Sequence, residues 1–256
     1  MYLDDTCVLR TTSASANGAI AVRTNLNGGA RDIRAGGTWT VGDGGRIDVI
    51  TGSGSIPTAG GIHVMNVTVN AGPLSDTNFQ GWSWINQPVG KLLNVSAGEV
   101  ILTSQQTSSG LGTYLYGTVR MIGNSGGGVG LQIGNPNGKT ELGGTLEAGQ
   151  VAFRGQSFSS AAGSSIVSSW VDIQATNTVS LAGSISAQDG NINLSAVGGL
   201  TSTTTSLVTL VTSPLSGQYT GGIKVQAGAG ASSVAGTFST IGSTYSDIEF
   251  DMTGSA

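Results

Sequence analysis

The groups in this sequence best placed to do chemistry are a row of carboxylates and a trio of large aromatics. Asp247-Ile248-Glu249-Phe250-Asp251 sets three acids at alternating positions. Successive side chains of a strand point to opposite faces, so Asp247, Glu249 and Asp251 share one face and Ile248 and Phe250 take the other. Such a row offers oxygen ligands of the kind Ca²⁺ takes, or an acid–base pair for glycoside cleavage. The plainer reading is a strand whose acidic outer face keeps an edge from pairing. No matching row recurs earlier in the chain, which favours the plainer reading. Asp43 and Asp48 are a weaker version of the same idea.

Phe79, Trp82 and Trp84 are the second set, with the two tryptophans spaced to share a strand face. Exposed flat aromatics stack on sugar rings, and paired tryptophans serve as interface anchors. The competing role is a core plug under a long loop. If any residues contact a partner, the expectation falls on these three. The remaining motifs are weaker. Gly134-Asn-Pro-Asn-Gly138-Lys139-Thr140 is one residue short of a phosphate-binding loop. The glycine-rich stretch from Glu141 to Gly149 cannot start the helix such a loop needs, so the segment reads as a turn. His63 is the single histidine and sits in an apolar alternation, as a half-buried strand histidine with a hydrogen-bond partner would. Asn66, Asn94 and Asn193 head Asn-x-Ser/Thr triplets that chance alone explains in a chain this rich in these residues. Cys7, the single cysteine, excludes an intrachain disulfide and any Cys-based zinc site, and reads as a small buried apolar residue. No cofactor and no metal are expected.

The elements that must carry these residues are strands. In Trp170 to Leu200, apolar residues come in short alternating bursts: Val171, Ile173 and Ala175; Val179 and Leu181; Ile185 and Ala187; Ile192, Leu194 and Ala196. Small polar residues and glycine separate the bursts, and no helical stripe is present. The texture continues at Ala19–Arg23, Arg31–Arg34, Thr38–Val41, Arg46–Thr51, Ile62–Asn70, Leu92–Val95, Glu99–Thr103, Thr113–Ile122, Val129–Gly134, Glu141–Glu147 and Val151–Phe153. Further on it covers Leu200–Val211, Gly222–Ala227, Ala235–Ile241 and Asp247–Met252. Residues 71–90 depart from it, holding two of the five prolines and two of the four tryptophans, and predict a long loop or a break between sub-regions. The expectation is one elongated all-β unit over 1–256 with that break.

Composition supports this and narrows the function. Glycine is 43 of 256 residues, far above the usual share of about 7%. Charged residues make up 9%, against about 25% in ordinary globular chains, so the surface must be built from Ser, Thr, Asn and Gln. The net charge is −4 and the ten basic residues are scattered, with only Arg31, Arg34 and Arg46 near one another, which argues against a nucleic-acid surface. No run of 18 apolar residues predicts a membrane helix. Corner glycines at irregular intervals, small residues and scarce charge favour a parallel β-helix or solenoid. Asn-Gly pairs at Asn17-Gly18, Asn27-Gly28 and Asn137-Gly138 instead suggest antiparallel hairpins, which keeps a β-sandwich or jelly-roll as the alternative.

Ser180 to Gly199, SLAGSISAQDGNINLSAVGG, resembles the degenerate repeats of filamentous-haemagglutinin-type secreted adhesins, over a stretch from about Val167 to Ala227. Similar texture occurs in bacteriophage tail fibres, tailspikes and capsid decoration proteins. The resemblance implies a right-handed parallel β-helix. No basic and apolar leader is visible at the N-terminus, whereas the composition suits an extracellular β protein. Virion proteins meet both conditions. The expected function is therefore a non-enzymatic, outward-facing structural protein: a virion fibre, spike or capsid-decoration subunit. Its expected partners are further copies of itself, as in a trimer, neighbouring virion or surface proteins, and a host-surface glycan. A segment of a secreted adhesin is the alternative, and a polysaccharide-degrading β-helix enzyme a lesser one.

Overall fold

The computed structural model describes residues 1–11, 18–24, 31–52, 60–104, 112–122, 130–212, 221–242 and 246–253. Among them the regular elements are all strands. The chain opens with β1 (Val8–Arg10), β2 (Ala19–Thr24), β3 (Ile33–Thr40), β4 (Arg46–Thr51), β5 (Ile62–Asn70) and β6 (Asp76–Gly81). Next come β7 (Ile85–Gln87), β8 (Leu92–Val95), β9 (Glu99–Ser104), β10 (Gly112–Leu115) and β11 (Thr118–Met121). Three long strands come after these, β12 (Leu131–Leu142), β13 (Thr145–Ser160) and β14 (Ser165–Leu181). The last are β15 (Ser184–Gln188), β16 (Ile192–Ala196), β17 (Gly199–Ser202), β18 (Leu207–Val211), β19 (Ile223–Ala227), β20 (Thr237–Ile241) and β21 (Ile248–Met252).

Every strand pairing is parallel. The pairs sort into three ladders that the chain visits in a fixed order. The first ladder runs β1, β3, β5, β8, β11, β13, β14, β15, β18 and β20. In the second, one column of register partners is Val22, Val49, Phe79, Leu102, Ile133, Phe153, Ile173, Leu194, Val225 and Phe250. In the third, Ile33, Ile62, Ile85, Thr113, Thr140, Phe158, Val179 and Leu200 succeed one another. β13 and β14 each bend through all three ladders, and the large sheet so formed is consistent with a solenoid-like class.

The core is the inside of these ladders. Trp39, Phe79, Phe153, Ile33, Ile62, Leu93, Leu102 and Leu131 are fully buried. Burying one such aliphatic or aromatic side chain contributes about 1.5–3 kcal/mol, so stacked apolar columns rather than a few large residues hold the chain together. Between ladders the chain must turn without a Cβ in the way. At Gly37, φ is +105° and a Cβ would overlap the Cys7 carbonyl, so only glycine fits.

The bursts of the Trp170–Leu200 stretch turn out to be successive visits to the ladders. Val171, Ile173 and Ala175 lie in the second, Val179 and Leu181 in the third, Ile185 and Ala187 in the first, and Ile192 and Leu194 return to the second. The antiparallel sandwich or jelly-roll alternative is overturned by the parallel pairing. Asn137-Gly138, read as a hairpin, lies inside β12, where a register irregularity between Asn135 and Lys139 turns the strand from one ladder to the next. Asn17 and the Asn27-Gly28 pair lie outside the described residues. Residues 71–90 are not a long loop: β6 and β7 lie there, paired in register like their neighbours. The prolines Pro73 and Pro88 misled because they sit outside the strands, where no ladder hydrogen bond is lost.

Candidate functional site

The richest outward-facing constellation lies on the third ladder. Its outward positions are the register neighbours of the inward column, and three short segments supply them. Trp84 and Asn86 flank Ile85; Tyr114 is one step on, with Tyr116 just past the end of β10; Lys139 and Glu141 flank Thr140. His63 precedes Asn86 in the column and Arg34 precedes His63. Trp84, Asn86, Tyr114, Tyr116, Lys139 and Glu141 are all half-buried, so this strip is neither core nor fully solvated.

Glycines shape the strip. Trp84 sits opposite Gly61, and a Cβ built there would overlap three atoms of the indole. The ring therefore lies back over the glycine with one face toward the sheet. Gly143 gives Tyr116 the same room. The His63 ring meets Trp84 edge-on at 4.6 Å, and its Nδ1 lies 3.4 Å from the Asn86 amide nitrogen, which donates to it when that nitrogen is unprotonated. Burial, reinforced by the Arg34 charge, pushes the His63 pKa down and keeps the acceptor form.

At the other end, Glu141 organises its neighbours. Tyr116 donates its hydroxyl to one carboxylate oxygen at 2.6 Å and the Lys139 ammonium donates to the other at 2.6 Å. These two donors hold Glu141 below the ordinary carboxylate range. The Lys139–Glu141 hydrogen bond raises Lys139, and the carboxylate beside the phenol pushes Tyr116 up to about 12. The Tyr114 and Tyr116 rings stack with centroids 6.4 Å apart, and Lys139 lies 5.6 Å from the centre of the Tyr114 ring. Burial raises the Tyr114 phenol. The strip thus sets aromatic faces beside a carboxylate, an ammonium and an amide.

The other sequence-predicted residues lie elsewhere. Phe79 is fully buried in the second ladder and stacks on Trp39 at 6.0 Å, so it is a core residue and not a contact: its alternation with Thr77 turns it inward. Trp82 is half-buried at the corner after β6, where its backbone N–H donates to the Thr51 hydroxyl. Asp247, Glu249 and Asp251 project outward from the second ladder at its C-terminal end in a row rather than converging. Glu249 pairs with its register neighbour Lys224 at 3.3 Å. Asp247 and Glu249, with Asn193 and Lys224, line a shallow cleft of about 330 Å³, and Asp251 is not among its lining residues. Among the described residues no three His, Cys, Asp or Glu side chains are grouped to hold a metal ion. Ile248 and Phe250, on the inward side of β21, remain 38% and 45% exposed because no described strand covers that edge.

Asp48 is a buried carboxylate bonded to Arg46 at 2.7 Å and Arg23 at 3.4 Å, and Asp43 accepts from the Leu74 N–H. The Gly134–Thr140 segment is the bend in β12, where the Asn135 amide donates to the Lys139 carbonyl. Asn66 is bonded at both ends of its amide, to Asp5 and to the Leu92 N–H. Cys7 is half-buried and free. Sequence reasoning found Trp84 but missed Tyr114, Tyr116, Lys139 and Glu141. The signal was present as Trp-Ile-Asn, Tyr-Leu-Tyr and Lys-Thr-Glu, each a pair of outward residues around an inward one, but variable spacing hid that Asn86, Tyr114 and Glu141 stack in one column, with Tyr-Leu-Tyr displaced by two residues from the other two triplets.

Comparison with known proteins gives no match: no family model fits the chain, and no curated protein or solved structure is similar to it. The chain's own residues carry the functional reading.

Proposed function

We propose that the chain is a three-faced parallel β-helix acting as outward-facing structural material, most specifically a virion fibre, spike or capsid-decoration subunit that works by assembly and surface contact. The observation that carries this reading is the unbroken parallel register of all three ladders. Each rung is braced only by its neighbours, which makes a stiff body whose length is set by rung number. The sparse charges fit the same use. Arg120 with Glu147 and Lys224 with Glu249 are register partners on adjacent strands, so these pairs brace the stack. Exposed ion pairs of this sort contribute little individually. Self-association into a symmetric oligomer, such as a trimer, belongs to this reading.

The second reading, a segment of a secreted β-helical adhesin, is favoured by the half-exposed aromatic strip. Gold-labelled antibody against this chain, imaged on intact virions and cells of the source, separates the two. Label on the virion exterior is the expected result. Label on a cell surface selects the adhesin, and label confined to the cell interior overturns both. Mass photometry of the purified chain tests assembly: a symmetric multimer is expected, and a strict monomer contradicts that part.

A further inference from the structure

We propose that the strip on the third ladder binds a neutral oligosaccharide, with Trp84, Tyr114 and Tyr116 as stacking platforms and Asn86, Lys139 and Glu141 as hydrogen-bonding groups. It deepens the outward-facing reading, from which it takes its biological sense, but its geometry is independent of how the chain assembles.

Three features point to this ligand class. The first is ring orientation. Trp84 lies over Gly61 and Tyr116 over Gly143, where any side chain would have propped the rings up. Rings on cross-strand glycines also stabilise sheets, and a purely structural ring is served best by being covered. These remain half-exposed, which leaves an aromatic surface facing outward. Sugars present an apolar face of C–H groups, and a flat ring of this kind buries it while leaving the hydroxyls free at the edge.

The second is the polar complement. A sugar hydroxyl both donates and accepts, so it is held best where a donor and an acceptor stand side by side. Lys139 and Glu141 supply that pair on one strand at 2.6 Å, and Tyr116 shares the same carboxylate. The Lys139 and Glu141 charges cancel locally. That local balance between the platforms fits a neutral chain, since Arg34, the other cation of the column, lies two strands beyond Asn86.

The third is extent. Trp84 and Tyr114 lie on adjacent strands two positions apart, so their backbones are about 8 Å from one another, and Tyr116 extends the row to about 14 Å from Trp84. Platforms spread over that distance suit several linked sugar units better than one. A single small ligand would want an enclosed pocket.

The test uses the full chain, fluorescently labelled, on an array of immobilised β-glucan, mannan, galactan and chitin oligosaccharides, with heparin as the polyanionic comparator. Retention on at least one neutral class is expected, falling tenfold or more in Trp84→Ala, in Tyr114→Ala and in Glu141→Gln. Trp170→Ala, a half-buried tryptophan on the second ladder, should leave it unchanged. Gly61→Ala guards against misfolding artefacts: it keeps every platform but lifts the Trp84 ring, and should weaken retention with the circular dichroism spectrum intact. No retention of the wild-type chain on any neutral class overturns the proposal. So does equal loss in Trp170→Ala, or retention on heparin alone that disappears in Lys224→Ala. None of these outcomes bears on where the labelled antibody binds, so a failed glycan test and a failed structural reading are told apart.

Discussion

Two neighbouring residues of β9 give a sharp test of which way the strands face. Leu102 is fully buried between its register partners Phe79 and Ile133, whereas Ile101 is half-buried on the outside between Asn78 and Gln132. Leu102→Ala removes apolar contact from the middle of a column and leaves a cavity that rigid strands above and below cannot close. The transfer and cavity contributions together come to about 2–5 kcal/mol. Ile101→Ala loses only partial burial and opens no cavity, so its cost stays below about 1.5 kcal/mol. Guanidinium unfolding monitored by circular dichroism reads both: the midpoint should fall markedly for Leu102→Ala and slightly for Ile101→Ala, at similar slope. Each strand touches only its neighbours, so where unfolding splits into phases the two variants are compared in the phase that β9 reports. Equal costs, or a larger cost at Ile101, would mean the strand is turned over by one residue, and the ladder assignment would fail.

The same geometry makes three further predictions. Arg154→Ala should destabilise the chain by about 1–3 kcal/mol, because it strips the guanidinium from Asp172, whose side chain is 5% exposed and keeps the Gln174 amide; Asp172→Asn in the same background should recover part of the loss in thermal melts. His63 has its pKa lowered by burial and Arg34, with Asp32 opposing, so its neutral form is stabilising above the unfolded value near 6.5 and that stability is lost as pH falls below it. Denaturation midpoints should therefore drop across that window in the wild type and drop less in His63→Asn. Gly37→Ala, at φ +105° and with its added Cβ against the Cys7 carbonyl, should lower the melting midpoint more than Gly90→Ala, which shares the strained positive φ (+74°), at about 1–2 kcal/mol, but whose Cβ meets no other atom.

How much of this could be read from the residues varied by feature. The alternation Val171, Ile173, Ala175 and Val179, Leu181 revealed strands and inward faces, because a period of two leaves little freedom in which side is buried. Parallel pairing was harder to see. Asn137-Gly138 looks the same whether the chain reverses or merely bends, and only the partner of the next strand decides. Pro73 and Pro88 drew attention away from Asp76–Gly81, whose Thr77 and Phe79 alternate like any other inward pair. The carboxylate row was legible as a row, and its pairing with Lys224 was not, since Lys224 lies on the adjacent strand across a connection of irregular length. The strip failed for the same reason: Trp84, Tyr114 and Glu141 are far apart in sequence, and their neighbourhood exists only once the register is known.

The central claim, that the ladders stack rung on rung, is tested most directly by spin-label distances along one outward column. Gln80, Gln174 and Asp251 belong to a single column, with Gln174 four rungs and Asp251 seven rungs from Gln80. In a Cys7→Ser background, labels at Gln80→Cys with Gln174→Cys should lie about 19 Å apart, and at Gln80→Cys with Asp251→Cys about 34 Å. Distances in the ratio four to seven are the predicted result. A Gln80 to Asp251 distance equal to or shorter than the Gln80 to Gln174 distance would show the chain folding back on itself, and the account would be wrong.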